Sequence, residues 1–152
     1  MKPMHCIAVD MGASSIRIVL GTLDDGSLKY KEIYRFENAF VKVGNTLRWD
    51  IEAIYENIVF GINEAIRQYP NVESIGVDSW GVDYALVDSE NKLIEKPYSY
   101  RDGRSDGMME QWEALMSRHE TFRRTGINFY NFNTLFQLLA SKDSQELKIE
   151  IG

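Results

Sequence analysis

From Ile51 onward an apolar residue returns every three or four positions: Ile51, Ile54, Ile58, Ile62, Ile66 and Tyr69. An unbroken apolar run, Ile75-Gly76-Val77, follows almost at once. The first pattern is one face of an amphipathic helix, with Asp50 as a carboxylate N-cap and Pro70-Asn71 as its stop. The second lacks the alternation of a half-solvated strand and predicts a strand buried on both faces. Upstream, Cys6–Val9, Ile16–Leu20 and Leu28–Phe36 read as three strands, separated by the turns Asp10–Ser15 and Asp24-Asp25-Gly26. An antiparallel meander, a helix and then a buried strand argue for an α/β domain with a mixed sheet and flanking helices.

Past Asp78-Ser79-Trp80-Gly81 the periodicities weaken. Tyr84–Val87 and Leu93–Tyr100 read as a strand pair around Asp88-Ser89-Glu90-Asn91. Asp106–Met116, Glu120–Arg124 and Thr134–Ala140 read as helices, and Met108, Met109, Trp112, Leu115 and Met116 as core packing. Leu147, Ile149 and Ile151 alternate with charges like a final strand.

Bulk properties exclude several function classes. A chain of 152 residues with 44% apolar and 26% charged residues suits one soluble domain. No run approaches the roughly 18–20 apolar residues of a membrane span, and the start, MKPMHCIAVD, is too short in apolar residues for a secretory signal. A cytoplasmic protein with no membrane partner is expected. The net charge is -6, and Arg101, Arg104, Arg118, Arg123 and Arg124 are interleaved with acids, so the basic face that nucleic acid requires is missing. Cys6 is the single cysteine, which precludes an internal disulfide and suits a buried, inert thiol. His5 and His119 have no partners at metal-ligand spacing.

Three segments concentrate groups capable of chemistry. In Asp10-Met11-Gly12-Ala13-Ser14-Ser15-Ile16-Arg17, a strand-end carboxylate suits a hydrated magnesium ion. Gly12 permits close backbone approach, the turn amides can cradle an anion, and a hairpin would return Arg17 toward Asp10. A plain hairpin turn has the same composition. In Asp78-Ser79-Trp80-Gly81-Val82-Asp83-Tyr84, carboxylates beside aromatic rings suit a sugar, and a core-packed Trp80 explains the segment equally well. Tyr100-Arg101-Asp102-Gly103-Arg104 reads from composition as a surface ion-pair turn rather than a polar pocket.

Together these segments carry a family resemblance. Asp10 to Arg17 resembles the phosphate hairpin of the actin-like (ribonuclease H-like) ATPase superfamily. Tyr100-Arg101-Asp102-Gly103-Arg104 resembles the aromatic-x-Asp-x-Arg segment of the FGGY carbohydrate kinases. Within that family, Asp10 to Ser15, Ile75 to Tyr84, Tyr100 to Gly107, Thr125-Gly126-Ile127 and Phe132-Asn133-Thr134-Leu135 are similar to the rhamnulokinase branch. The resemblance implies an actin-like ATPase domain and transfer of the ATP γ-phosphoryl group to the 1-hydroxyl of L-rhamnulose. It implies ATP at Ala13, Ser14, Ser15, Ile16 and Arg17, and Mg2+ held through water by Asp10. The sugar would meet Trp80 and Gly81, with Asp83, Tyr84 and Arg101 as neighbours.

Two departures accompany it. Family members usually have glycine where Ile16 stands. They also have a second domain, which supplies the catalytic aspartate base, and no segment here resembles it. Residues 1–152 are therefore expected to be a partial N-terminal kinase domain, inactive alone, with no catalytic residue of its own and the second domain as its missing partner. Ser144 to Gly152 does not resemble the family's continuation. A kinase for another ketose or polyol, and a free-standing sugar- or nucleotide-binding module, are the alternatives.

Overall fold

The computed structural model describes residues 2–38 and 40–144. Its elements run β1 (Met4–Met11), β2 (Ser15–Asp24), β3 (Ser27–Glu37), β4 (Phe40–Val43), β5 (Thr46–Trp49), α1 (Ile51–Gln68), β6 (Val72–Ser79), a 3-10 turn (Gly103–Ser105), α2 (Met108–Glu113), α3 (Arg118–Thr125) and α4 (Thr134–Ser141). They form two compact units, each assembled from two stretches of chain: Met1–Ala39 with Asp50–Gly81, and Phe40–Trp49 with Val82–Gly152.

The first unit is a four-stranded sheet ordered β3-β2-β1-β6. The meander is antiparallel, and β6 returns parallel to β1 after the α1 crossover. This is the mixed sheet that the periodicities predict. Period-two alternation turns Ile7, Val9, Ile16, Ile18 and Leu20 to one face, where α1 covers them with Ile54 and Ala65. The isoleucine row is the covered face only in part: Ile54 is buried, Ile51, Ile58 and Ile62 are half-buried, and Ile66 is 41% exposed. Gly61 and Ala65 join Ile54 as its buried residues. A Cβ on Gly61 would stand 2.5 Å from Ile18 Cγ1 and 2.8 Å from Tyr34 Cδ1, so small residues set how closely helix and sheet pack. Nor does the Asp50 side chain cap α1; its backbone carbonyl accepts the Ile54 N–H at 2.9 Å.

The strand Ile75-Gly76-Val77 departs further from expectation. Ile75 is 50% and Val77 67% exposed. Among the described residues β6 is a sheet edge, and α1 packs over β1, β2 and β3. Cys6 is half-buried, its Sγ 3.8 Å from the Gly21 carbonyl.

The second unit contains a hairpin the periodicities do not reveal, β4 paired with β5. Each strand has four residues, too few for alternation to register, and Gly44 takes a left-handed φ of 60° in the turn. The hairpin bonds to residues 97–99: Trp49 N–H donates to the Pro97 carbonyl at 2.9 Å and Ser99 N–H to that of Leu47 at 3.0 Å. The expected strand pair at 84–100 reduces to one bridge, Val87 with Leu93. Asp88 takes over the backbone donors there, its Oδ1 accepting from Glu90 N–H and Lys92 N–H. Leu115 is 74% exposed and not core. Leu147, Ile149 and Ile151 lie outside the described residues. No described helix is long and apolar enough to cross a membrane.

Candidate functional site

In the first unit, β1 and β2 meet at the turn Gly12-Ala13-Ser14. Pairing places Asp10 opposite Arg17, and Asp78 of β6 on the other side of Asp10. Because Val9, Ile16 and Ile18 face α1, alternation puts Asp10 and Arg17 on the opposite face. Arg17 Nη2 lies 2.5 Å from Asp10 Oδ2, with both side chains more than a third exposed. Arg17 is also in register with Arg35, a like-charge neighbour whose guanidinium grips Glu32 at 2.6 Å. That hydrogen bond is the main cause holding the Glu32 carboxyl below its ordinary range. Across the sheet the row therefore reads two acids, Asp78 and Asp10, then two bases, Arg17 and Arg35, with Arg17 paired to Asp10.

The turn orients its backbone in one direction. Gly12 N–H donates to the Ser15 carbonyl at 3.1 Å, and a Cβ on Gly12 would meet that oxygen at 2.9 Å. The Gly12 carbonyl accepts from Asn38 Nδ2 at 3.0 Å and the Ser14 carbonyl from Asn38 N–H at 3.0 Å. The carbonyls of Gly12, Ser14 and Ser15 are therefore engaged within the protein. Among the described residues no acceptor meets the N–H groups of Ala13 and Ser14. Two free amides, an exposed Ser14 and a neighbouring guanidinium form a donor set that fits a phosphate oxygen. Asp10 Oδ1 has no partner among the described residues and fits the water shell of a magnesium ion. Ile16 is fully buried on the α1 face, so its side chain is not part of this donor set.

The sugar candidates divide. Trp80 and Gly81 close the first unit after β6; Asp83, Tyr84 and Arg101 belong to the second. Gly81 has no neighbour within 4 Å of a would-be Cβ and no positive φ, so its own fold does not demand glycine. Val82, in contrast, has φ 73°, an unfavourable conformation for a β-branched residue. Its carbonyl accepts from Thr134 Oγ1 at 2.6 Å and Gln137 Nε2 at 3.3 Å. Asp83 is gripped through both oxygens, by Trp49 Nε1 at 2.6 Å and Gln137 Nε2 at 3.0 Å. Tyr84 OH lies 3.2 Å from Ser141 Oγ, and Arg104 joins the same network through Ser141 at 2.6 Å and Gln137 Oε1 at 2.7 Å. Arg101 is exposed, its guanidinium 5.0 Å from the Phe40 ring centre.

The 100–104 segment is accordingly not a surface ion-pair turn. Asp102 is 7% exposed and accepts from Leu47 N–H at 2.6 Å and Arg104 N–H at 3.0 Å. Arg104 points inward, 3.7 Å from the Tyr98 ring centre. Burial is the main cause raising the Tyr98 hydroxyl above its ordinary pKa. Sequence reading missed Asn38, Trp49, Thr134 and Gln137. Their partners lie 26, 34, 52 and 54 positions away, and no local pattern marks them.

Comparison with known proteins agrees with this architecture. Residues 5–149 match the family model described as the FGGY family of carbohydrate kinases, N-terminal domain. A protein named rhamnulokinase from Oceanobacillus iheyensis is 41% identical over 144 residues, covering 95% of this chain and 31% of that protein. Another from Klebsiella pneumoniae is 42% identical over 147 residues, covering 95% and 30%. The chain thus spans about 30% of the length of these curated relatives. Among solved structures, gluconate kinase from Lactobacillus acidophilus aligns with a TM-score of 0.80 at 14% identity over 95% of this chain and 29% of that one. Ligand-bound xylulose kinase from the same organism gives 0.78 at 15% identity over 97% and 29%. At such identities these two matches speak for the fold alone.

Proposed function

On the premise that this chain belongs to the FGGY family of carbohydrate kinases, we propose that it supplies the nucleotide-phosphate turn and part of the sugar wall of an ATP-dependent kinase. The reaction proposed is γ-phosphoryl transfer to the 1-hydroxyl of L-rhamnulose. One observation carries the nucleotide half: the carbonyls of Gly12, Ser14 and Ser15 are engaged while the amides of Ala13 and Ser14 are free. Such a turn presents positive dipoles to an anion at no cost of reorganisation. Arg17 adds a full charge, and Asp10 would hold Mg2+ through water. The metal would neutralise charge on the transferring phosphoryl group. The sugar half rests on the likeness to proteins named rhamnulokinase. There Trp80 and Gly81 contact the ketose. Asp83 and Tyr84 serve by holding the turn, since protein groups already engage them.

The aspartate that takes the hydroxyl proton is assigned to a further domain of the kinase, outside residues 1–152. Phosphoryl transfer needs an oriented nucleophile, charge neutralisation and positioning together, so this chain alone is expected to bind without turnover.

The test follows amide resonances of the isolated chain during titration with Mg·ATP and, separately, L-rhamnulose. Mg·ATP should move Ala13 and Ser14, and the ketose should move Trp80 and Gly81. Gly81→Ala should leave the melting temperature unchanged, because a Cβ there meets only open space, while abolishing the ketose response. Nucleotide shifts confined to other residues would sink the phosphate assignment. A ketose response surviving in Gly81→Ala would sink the sugar assignment.

A further inference from the structure

The chain runs on past the last paired residue of β3. Glu37 stands opposite Ser15, and the next residue, Asn38, continues one step beyond β2 to lie beside the turn. There it makes two bonds to that turn and to nothing else among the described residues: its backbone N–H to the Ser14 carbonyl and its Nδ2 to the Gly12 carbonyl, both 3.0 Å. The two carbonyls flank Ala13, whose own N–H is free. Asn38 is only 5% exposed, and its Oδ1 is buried without a partner among the described residues. A buried amide with an unsatisfied oxygen is a poor choice for packing, since a leucine of similar size would fill the space without that penalty. What asparagine supplies here is the second donor.

We propose that Asn38 is a positioning residue for nucleotide binding: its Nδ2 draws the Gly12 carbonyl back and so holds the Ala13 N–H of the same peptide outward for a phosphate. The proposal rests on the nucleotide reading of the turn. Asn38 contacts no nucleotide itself and works through the backbone of Gly12. Nδ2 fixes the peptide between Gly12 and Ala13, so losing it frees the plane that carries the Ala13 N–H. The backbone bond from Asn38 to Ser14 survives any substitution except proline, so the effect belongs to the side chain.

Asn38→Leu tests it in the 152-residue chain. The substitution removes the donor and the unsatisfied oxygen together while keeping the volume. A merely structural asparagine would show itself in the melting temperature; the proposal expects that to stay near the parent value. It expects hydrogen exchange of Gly12 N–H to accelerate roughly three- to tenfold, the size of one net hydrogen bond, with Ile18 N–H unchanged. Mg·ATP affinity should fall by a similar factor, and Asn38→His, which keeps an N–H donor on a short side chain, should recover part of it. Unchanged Gly12 exchange in Asn38→Leu overturns the proposal, as does faster exchange with undiminished Mg·ATP affinity. Should Asn38→Leu prove unstable, Asn38→Asp, which replaces the donor by an acceptor, gives the same two readouts. If the parent chain itself ignores Mg·ATP, the nucleotide reading fails, and Gly12 exchange still decides whether Asn38 orders the turn.

Discussion

At the scale of single residues, strain and restraint coincide at Val82. A β-branched side chain at φ 73° costs on the order of 1–3 kcal/mol, and the carbonyl of the same residue is held by Thr134 and Gln137. Glycine ordinarily ranks below alanine in stability; here the order should invert. Val82→Gly is expected to exceed Val82→Ala by about 1–2 kcal/mol in urea unfolding, since only glycine adopts this φ freely. The usual order, alanine above glycine, would mean that the backbone bears no strain. The sequence offers no sign of this geometry, because a valine between Gly81 and Asp83 reads as ordinary turn or strand. Asp10 and Arg17 show the opposite case. Their positions around a short turn predict that they meet, and register pairs them at 2.5 Å.

At the scale of elements, local patterns succeed where an element is long and one-sided. The meander and α1 follow from alternation and from the three-to-four spacing. What the spacing cannot supply is how closely helix and sheet approach: Gly61 faces Ile18 at a distance that leaves no room for a Cβ. Gly61→Ala would be stabilising in a free helix, yet here it should cost roughly 1–3 kcal/mol by overpacking, read as a lower urea midpoint. A gain would show that α1 can move away from the sheet. Helix α3 offers a second check. Hydrogen bonds from Arg123, and next from Arg124, lower the Glu120 carboxyl to about 2, against an ordinary 4.5. A folded value below the unfolded one means that the contribution is complete above pH 4.5 and disappears as the pH falls toward 2. Glu120→Gln should flatten the melting temperature across that acid window and alter its slope little above it. An unchanged acid limb would show that solvent screens the exposed pairs entirely.

At the scale of the whole chain, the fold class was legible and the division into units was not. A meander, a helix and a parallel strand imply a mixed sheet from short-range pattern alone, and 152 residues suggest one domain. The second unit rests instead on bonds between distant positions, such as Asp102 to Leu47 and Asp83 to Trp49. A four-residue strand carries too little pattern to announce such partners. The resulting interleaving has a consequence for biosynthesis. The hairpin Phe40–Trp49 leaves the ribosome well before the residues that complete it, and Leu47 waits 55 positions for Asp102. At about 5–20 residues per second that is a delay of roughly 3–11 s. During it, the aromatic side chains of Phe40 and Trp49, the latter almost wholly enclosed in the finished protein, are exposed on the nascent chain. Slow translation anywhere between codons 50 and 102 lengthens that exposure, and with it the interval in which a chaperone or a misfolding partner can bind.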